Sequence, residues 1–333
     1  MSRMLLLIFL VCFSIAGVAE TIPVLYSTDL YHPHGDPDDH YDLMTLFALP
    51  EFDVKGVVLD ADPKGEHTPA VCAIEQMDTL TERKIRYAVG LAHRLESPED
   101  TGEKHPAGEQ AAVKLILDVL SEASQPITIF TTGSLRDMAA AYNRAPGLFK
   151  EKVGRFYINI GWVGAQQEWN VGLDADAYVR ILTSDLPLFW CPCFGENNWQ
   201  TYWKFRQGDV LEKQPAPIQN FFLYMLGKLD SEKEDPVNYL HGEVDAALAK
   251  TYYGEDRNMW CTGPFLHAAG RNSDVFEFAP LTFTVDKGGT TIPGMGQGAI
   301  TRQTFRIIDP ERYTMVMAET LRDLYANLLK QGP

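Results

Sequence analysis

The most constraining feature of this chain is a regular alternation between short β-rich runs and amphipathic runs, which begins at residue 22. Helical periodicity is clear in Ala111–Ala123 and Leu135–Asn143. Strand, helix and strand in succession imply right-handed crossovers, so the pattern predicts an α/β fold with a mostly parallel, Rossmann-like sheet and helices on both faces. The predicted buried strands are Ile22–Asp29, Val54–Asp60, Lys84–Val89, Pro126–Thr132, Arg155–Ile160 and Leu186–Cys191.

The C-terminal third has a different pattern. Beyond residue 215 it is first helical, and then two β-like runs flank a glycine-rich loop, which predicts a small antiparallel hairpin before a last helix. The chain shows no internal repeat and no linker, so we expect one domain over residues 20–333. The predicted elements of this region are helices Ile218–Leu229 and Val237–Tyr253, strands Phe276–Asp286 and Ala299–Asp309, and a helix over residues 310–330.

The first 19 residues have the pattern of a secretory signal peptide. Arg3 provides a positive start, Leu5–Val18 an apolar run, and Gly17-Val18-Ala19 a small-residue cleavage site. The apolar run is too short to span a bilayer well. We therefore expect a secreted or periplasmic protein, and an uncleaved anchor is the alternative.

Charge and cysteine content limit the partners. A formal net charge of −16 argues against nucleic acid or an anionic membrane surface as partner. Cys72, Cys191, Cys193 and Cys261 follow the signal region, and an oxidising compartment would allow one or two disulfides. Buried unpaired thiols are the alternative, and the absence of a CxxC pair argues against a zinc site.

An acidic segment, STDLYHPHGDPDDHYDL over residues 27–43, contains five aspartates and three histidines. Asp29 ends the first predicted strand, while Asp38 and Asp39 stand where a helix is predicted to begin. In a parallel sheet these positions lie beyond the carboxyl ends of the strands, where ligands bind. Carboxylates this close repel one another unless a cation or protons offset the charge. Oxygen donors of this kind favour Ca²⁺ or Mg²⁺.

Simpler explanations exist for parts of this segment. Asp38 could only cap the helix, and Asp36 and Asp42 could face water. The spacing does not match an EF-hand loop. Zinc is disfavoured because carboxylates outnumber histidines, so we expect His32 and His34 to be loop residues near the mouth of a site.

Two later stretches extend the pattern in a fixed order. They are ITIFTTGSLRDMAAAY at residues 127–142 and EWNVGLDADAYVRILTSDLPLFW at residues 168–190. With the aspartate segment, they resemble the calcium-dependent nucleoside hydrolases of the inosine–uridine-preferring type. GDPDD is similar to the exported, divergent branch of that superfamily. By motif order the resemblance covers residues 22–250.

The resemblance implies hydrolysis of the N-glycosidic bond of ribonucleosides to ribose and base. Asp29 would act as general base toward the attacking water, and His241 would be the acid for the departing base. The implied Ca²⁺ ligands are Asp29, Asp39, the backbone carbonyl of Thr132, and Asp245 or Glu243. The implied sugar contacts are Asp38, Glu168 and Asn170, with Trp169 packed beside the ribose.

The chain departs from the family pattern at several points. Ser27 replaces the first acid, and LYHPHG at residues 30–35 is an insertion between Asp29 and the aspartate pair. The family's Gly-Asn after the second strand is absent, and Asp60 or Asp62 occupies that region. The late His-Asp motif is also altered, because Gly242 follows His241.

These departures leave other functions open. One alternative is an exported calcium- and sugar-binding protein that has lost turnover, and another is a retaining glycosidase that uses two carboxylates about 5 Å apart. In each case the expected partner is a small nucleoside or related glycoside. Self-association into a homo-oligomer is also expected from the resemblance.

Overall fold

The computed structural model describes residues 20–62, 64–271 and 274–330. The predicted signal peptide, residues 1–19, lies outside these ranges. Within them the strands form one nine-stranded sheet and one two-stranded sheet. The strands are β1 (Ile22–Thr28), β2 (Phe52–Leu59), β3 (Tyr87–Val89), β4 (Ile127–Thr131), β5 (Val153–Ile158), β6 (Leu188–Trp190), β7 (Trp203–Arg206), β8 (Asp256–Met259), β9 (Phe276–Val285), β10 (Thr291–Pro293) and β11 (Ile300–Ile307).

The large sheet has the strand order β10-β9-β11-β6-β5-β4-β1-β2-β3. All neighbours from β11 to β3 are parallel, whereas β9 is antiparallel to both β11 and β10. The chain winds outward from β1 to β3 and then returns to β4 on the other side of β1. This reversal makes the crevice between β1 and β4 the topological switch point, where ligands bind in such sheets. The predicted α/β fold is confirmed.

Helices cover both faces of this sheet because its inner strands are apolar on both sides. In β1, Val24 and Tyr26 pack into one core cluster, while Leu25 packs into the opposite one. The helices are α1 (Asp38–Ala48), α2 (Val71–Thr81), α3 (Ala111–Glu122), α4 (Arg136–Arg144), α5 (Pro146–Lys152), α6 (Trp169–Leu173), α7 (Ala175–Leu182), α8 (Gln207–Leu211), α9 (Ala216–Leu226), α10 (Pro236–Leu240), α11 (Ala246–Tyr252), α12 (Thr262–Ala268) and α13 (Pro310–Leu328).

The single helix predicted over Val237–Tyr253 is wrong, since the structure has two short helices, α10 and α11. The residues HGEVD separate them, and each helix has its own N-cap. Asp235 accepts a hydrogen bond from the backbone N–H of Asn238 at 2.7 Å, and Asp245 accepts one from that of Ala247 at 2.8 Å. Asp235 therefore begins α10, and Asp245, ten positions later in the chain, begins a second helix, α11.

The predicted hairpin exists as β9 and β11, but it is part of the main sheet. β11 pairs in parallel with β6, with Gln303 opposite Phe189, and the glycine-rich loop contributes β10 at the sheet edge. The edge of β6 would otherwise leave unpaired backbone groups, which pairing with β11 satisfies.

The four described cysteines are free thiols, and three of them are buried. The alternative of buried unpaired cysteines therefore agrees with the structure for Cys191, Cys193 and Cys261, and no disulfide joins the described cysteines. Among the described helices, none has both the length and the apolar character needed to cross a membrane.

Candidate active site

Four strand ends meet at the switch point. Backbone hydrogen bonds tie the residues that follow these strands to their neighbours: Asp60 N–H donates to Thr28 O at 2.9 Å, Thr132 N–H to Ser27 O at 2.9 Å, and Asn159 N–H to Thr131 O at 3.0 Å. The side chains of Asp29, Asp60, Thr132 and Asn159 therefore project from one edge of the sheet.

Asp39 is held in place by three hydroxyl groups. It lies in the first turn of α1, where negative charge interacts favourably with the free N–H groups of the helix start. Its Oδ1 accepts hydrogen bonds from the hydroxyls of Thr132 at 2.6 Å, of Tyr26 at 3.2 Å and of Thr28. Helix α1 is thereby fixed to the ends of β1 and β4.

Asp29 and Asp38 each lie close to several other carboxylates. Burial raises the pKa of Asp29 well above its ordinary value, and the charges of Asp39 and Asp60, a hydrogen bond with Asp39 and the charge of Asp38 raise it further. Burial, followed by Asp39, Asp36 and Asp42, also raises the pKa of Asp38. The acids thus need a positive partner to be ionised together. An all-oxygen donor set of this kind suits a hard divalent cation.

Gly133 allows the turn after β4 to approach the acids. A Cβ atom at this position would lie 2.5 Å from the backbone nitrogen of Asp29 and 2.8 Å from Oδ2 of Asp60. Ser134 N–H then donates to the same Oδ2 of Asp60 at 2.6 Å. The TG-x-L segment therefore packs directly against both aspartates.

Glu168 and Asn170 approach the site from α6. Glu168 caps this helix: its Oε1 accepts from Asn170 N–H at 2.9 Å, and its Oε2 accepts from Gly161 N–H at 3.1 Å and Val171 N–H at 3.3 Å. Burial raises the pKa of Glu168, and these backbone donors oppose the rise. The sequence motif indicates a sugar contact for Glu168 but not this capping role.

Asn170 connects α6 to the predicted cation ligand Thr132. Its Nδ2 donates to Thr132 O at 2.8 Å, whereas its buried Oδ1 has no hydrogen-bond partner in the described part of the chain. Trp169 projects into solvent with 72% of its surface exposed. An aromatic beside a sugar would need such an exposed position.

His241 and Asp245 lie on the surface, unlike the buried acids. His241 follows the last residue of α10, and Asp245 caps α11 by accepting from the backbone N–H groups of Ala247 and Leu248. The structure therefore assigns Asp245 a capping contact rather than a place in the acid cluster.

Asp42 differs from the expectation that it faces water. Asp42 is fully buried on α1, and its carboxylate lies beside the thiol of Cys261. Asp36 is exposed to water, as expected, and pairs with Arg257 at 2.6 Å. Asp38 is the first residue of α1, and Pro37 occupies the N-cap position, so Asp38 does not cap the helix.

The insertion at residues 30–35 is anchored rather than free. His32 Nε2 lies 2.6 Å from Leu229 O, and its ring stacks on Tyr224 with the ring centroids 5.3 Å apart. Burial lowers the pKa of His34 to about 4, so this imidazole is neutral at neutral pH. The segment fixes the side of the site next to α9.

Sequence reasoning missed Asn159 and gave Asp60 no defined role. Each is 2% exposed and lies at or next to a strand end, and neither amide atom of Asn159 has a hydrogen-bond partner in the described ranges. Both residues fall within the predicted strands Arg155–Ile160 and Val54–Asp60, so their place at the strand ends was the available signal.

A separate group of ligand-type side chains lies on the loop after β2. Carboxylate or imidazole atoms of Asp62, Glu66 and His67 lie within 4.8 Å of one another. Asp62 accepts hydrogen bonds from the backbone N–H groups of Lys64, Glu66 and His67, each at 2.9 Å. Asp62 is therefore a loop-forming residue.

Comparison with known proteins agrees with the motifs. A family model described as inosine-uridine preferring nucleoside hydrolase matches residues 27–292, which extends beyond the motif span. The pyrimidine-specific ribonucleoside hydrolase RihA of Salmonella schwarzengrund is 26% identical over 191 residues. The match covers 50% of this chain and 58% of that protein, so the chain spans little more than half the length of this curated relative.

Two solved structures share the fold. The purine-preferring ribonucleoside hydrolase from Gardnerella vaginalis superposes with a TM-score of 0.58 at 15% identity, over 91% of this chain and 99% of that one. The inosine-uridine preferring nucleoside hydrolase from Bacillus anthracis gives 0.51 at 14% identity, over 93% and 100%. With the family model spanning most of the sequence, this chain belongs to the inosine-uridine preferring nucleoside hydrolase family.

Proposed function

We propose that this protein is a calcium-dependent N-ribohydrolase that converts a ribonucleoside and water into ribose and a free base. The observation that carries the proposal is the convergence of Asp29, Asp38 and Asp39 at the switch point between β1 and β4. The names of similar proteins include pyrimidine-specific and purine-preferring enzymes, so the proposal extends to ribonucleosides of both classes.

The residues present fit a hard cation. Asp29, Asp39 and the carbonyl of Thr132 are oxygen donors from a strand end, a helix start and a neighbouring strand end, and their shared charge needs compensation. Bound Ca²⁺ would offset this charge and supply a Lewis acid that makes water more acidic. The named donors are the ones we propose to hold it.

Asp29 is the proposed general base. Its carboxylate would accept the proton of the attacking water, while the ribose carbon that loses the base gains positive character. Asp38 and the unpartnered Oδ1 of Asn170 would accept hydrogen bonds from ribose hydroxyls. Glu168 would support this grip by holding α6 in position through its cap. Such contacts orient the scissile bond toward Asp29.

Release of the base needs a proton donor, and His241 is the residue that we propose for it. Its position after α10 leaves the imidazole exposed. Trp169, also exposed, would pack beside the sugar. Both residues would act at the mouth of the site rather than among the buried acids.

The test measures ribose released from inosine and from uridine, with calcium and with a chelator. We expect chelator-sensitive release, and Asp29→Asn should lower the rate about 100-fold or more because the general base is removed. Asp53→Asn, on the exposed opposite end of β2, is the matched control. Undiminished turnover in Asp29→Asn would remove Asp29 from the base role.

A non-catalytic calcium- and sugar-binding protein is the second candidate. The exposed positions of His241 and Asp245 favour it, because the late motif then supplies neither a buried ligand nor a buried acid. Calcium-dependent thermal stabilisation without any ribose release from nucleosides would support this function over hydrolysis.

We also propose export to the periplasm or the medium, which rests on the sequence of residues 1–19. Cell fractionation with and without these residues tests it. Self-association stays a prediction, to be checked by the mass of the purified protein in solution.

A further inference from the structure

Asp60 lies beside Asp29 because β2 pairs in parallel with β1. Thr28 is opposite Leu59 in this register, so the residues that follow the two strands are neighbours. The backbone N–H of Asp60 donates to Thr28 O at 2.9 Å, and its side chain is 2% exposed. Asp60 is thus a buried carboxylate directly next to the proposed general base.

The carboxylate of Asp60 is fixed in place. Its Oδ2 accepts from Ser134 N–H at 2.6 Å, and the absence of a side chain at Gly133 lets the turn come this close. The charge of Arg136 lies near enough to oppose the rise in the pKa of Asp60 that burial causes.

Arg136 is itself held rigidly beneath the site. Its Nη1 donates to Leu91 O at 2.6 Å and to Ala92 O at 3.2 Å, and its Nε lies 3.4 Å from Oδ2 of Asp174. The segment TGSLRD at residues 132–137 resembles the family motif TG-x-L-T-N, so Arg136 and Asp137 stand where the family has threonine and asparagine. This chain therefore combines an additional buried acid with an additional buried cation behind it.

Asp60 acts on the same acids that form the proposed cation site. Burial is the largest cause of the raised pKa of Asp29. The charges of Asp39 and Asp60 come next and raise this pKa more than the charge of Asp38 does. Asp245 instead uses its carboxylate to cap α11 on the surface. At the same strand ends, the amide of Asn159 is buried without a hydrogen-bond partner among the described residues, which points to a ligand there.

We propose that Asp60 is the carboxylate that completes the cation site with Asp29 and Asp39, in the role that the family resemblance gives to Asp245. The identity of the cation as calcium rests on the proposed function. Arg136 and Ser134 position Asp60 for this role, and Arg136 offsets part of the additional negative charge.

The experiment measures calcium affinity by titration calorimetry on the full chain, for the wild type, Asp60→Asn, Asp245→Asn and the control Asp53→Asn. Asp60→Asn should weaken calcium binding about tenfold or more, since loss of even a supporting partner of a metal ligand has effects of this size. Asp245→Asn and Asp53→Asn should bind calcium as the wild type does. Calcium affinity that is unchanged in Asp60→Asn, or lost in Asp245→Asn, would overturn the proposal.

A structural role is separated by measuring unfolding without metal and with calcium. The side-chain amide oxygen introduced by Asp60→Asn can still accept from Ser134 N–H, and Asp60→Ser is a second, smaller variant. A cation ligand predicts that both variants lose the calcium-dependent gain in stability. Lower stability without metal together with an intact calcium gain would make Asp60 a structural residue and refute the inference.

The outcome also distinguishes this inference from the proposed function. Calcium binding that requires Asp60, in a wild-type protein that releases no ribose, would support the inference and reject the hydrolase. If the wild type releases ribose but Asp60→Asn keeps full calcium affinity, the hydrolase function is supported and the inference about Asp60 is rejected. A wild type that binds no calcium would overturn the inference.

Discussion

A single carboxylate oxygen, Oδ1 of Asp39, accepts hydrogen bonds from the hydroxyl groups of Tyr26, Thr28 and Thr132. Burial, with the charges of Asp39 and Asp42, raises the pKa of Tyr26 well above its ordinary value, so its phenol stays protonated and donates. Hydrogen bonds to a charged acceptor are stronger than neutral ones, which makes Asp39 a rigid reference point for the site.

Gly133→Ala tests the close approach between the turn after β4 and the acids. The new methyl group would meet the backbone of Asp29 at 2.5 Å, so the turn must move. We expect a loss of about 1–3 kcal/mol in the free energy of unfolding, together with lower calcium affinity. Urea denaturation measures the first and calorimetry the second.

Gly147→Ala is the matched control, since a Cβ there meets nothing within 4 Å. It should be neutral or slightly stabilising in α5. Equal losses in the two variants would contradict the packing argument.

Asp137→Asn tests a buried acid behind the site. One oxygen of Asp137 accepts from Leu91 N–H at 3.1 Å, and the other lacks a partner among the described residues. Burial, with the charge of Asp60, raises its pKa from 3.8 to about 7. Between these values the folded chain holds a proton that the unfolded chain has lost, so this group makes stability fall as pH rises.

Asparagine cannot titrate, so the variant should lose less stability than the wild type as pH rises through this window. One pKa unit corresponds to about 1.4 kcal/mol. Denaturant unfolding in the presence of a chelator, repeated over this pH range, gives the slope of the free energy of unfolding against pH for the wild type and for the variant. Identical slopes would show that Asp137 does not titrate in the folded protein.

At the scale of elements, the starts of helices determine where the site side chains point. α1 begins at Asp38, directly after Pro37, and thus presents two acids in its first turn. α6 begins after Glu168, whose cap places Asn170 against Thr132. α11 begins after Asp245 in the same way, but on the surface.

Asp245→Ala and Asp245→Ser test whether α11 needs this residue only as a cap. Alanine removes the acceptor for Ala247 and Leu248 N–H and should cost about 1 kcal/mol of stability. Serine can cap without a carboxylate, so it should restore most of this stability and leave calcium affinity unchanged. Thermal unfolding and calorimetry provide the two readouts. Weak calcium binding in Asp245→Ser would assign the carboxylate to the cation site.

At the scale of the whole molecule, the switch point joins the two halves of the sheet. β1 and β2 contribute Asp29 and Asp60, while β4 and β5 contribute Thr132 and Asn159. The additional strands β11, β9 and β10 extend the sheet beyond β6, on the side away from β2. A cation at the switch point would therefore bridge both halves.

Calcium should raise the stability of the entire fold, because it binds the folded acids and not the unfolded chain. At a free concentration about one hundred times the Kd, the gain is about 2.7 kcal/mol. Melting with calcium, with magnesium and with a chelator measures it. A melting temperature that is insensitive to all three would contradict a cation site at the acids.

The local sequence pattern determined the positions of the strands, the family and the main acidic residues of the site. The predicted strands coincide with β1–β6 to within three residues at each end, because burial periodicity and turn residues act over short distances. The order of motifs was sufficient to indicate the family that the comparison then confirmed. Asp29, Asp38 and Asp39 also stood out, since their charge density requires compensation wherever the chain takes them.

Only the tertiary structure decided which strand ends are neighbours. Strand order brings Asp60 beside Asp29 and docks β11 on β6, and helix packing buries Asp42. The sequence placed Asp60 at a strand end, but it did not show which strand ends are neighbours. The same packing leaves Asp245 on the surface as a cap. Local residue patterns report burial and helix starts, whereas the meeting of distant carboxylates depends on long-range packing of the whole sheet.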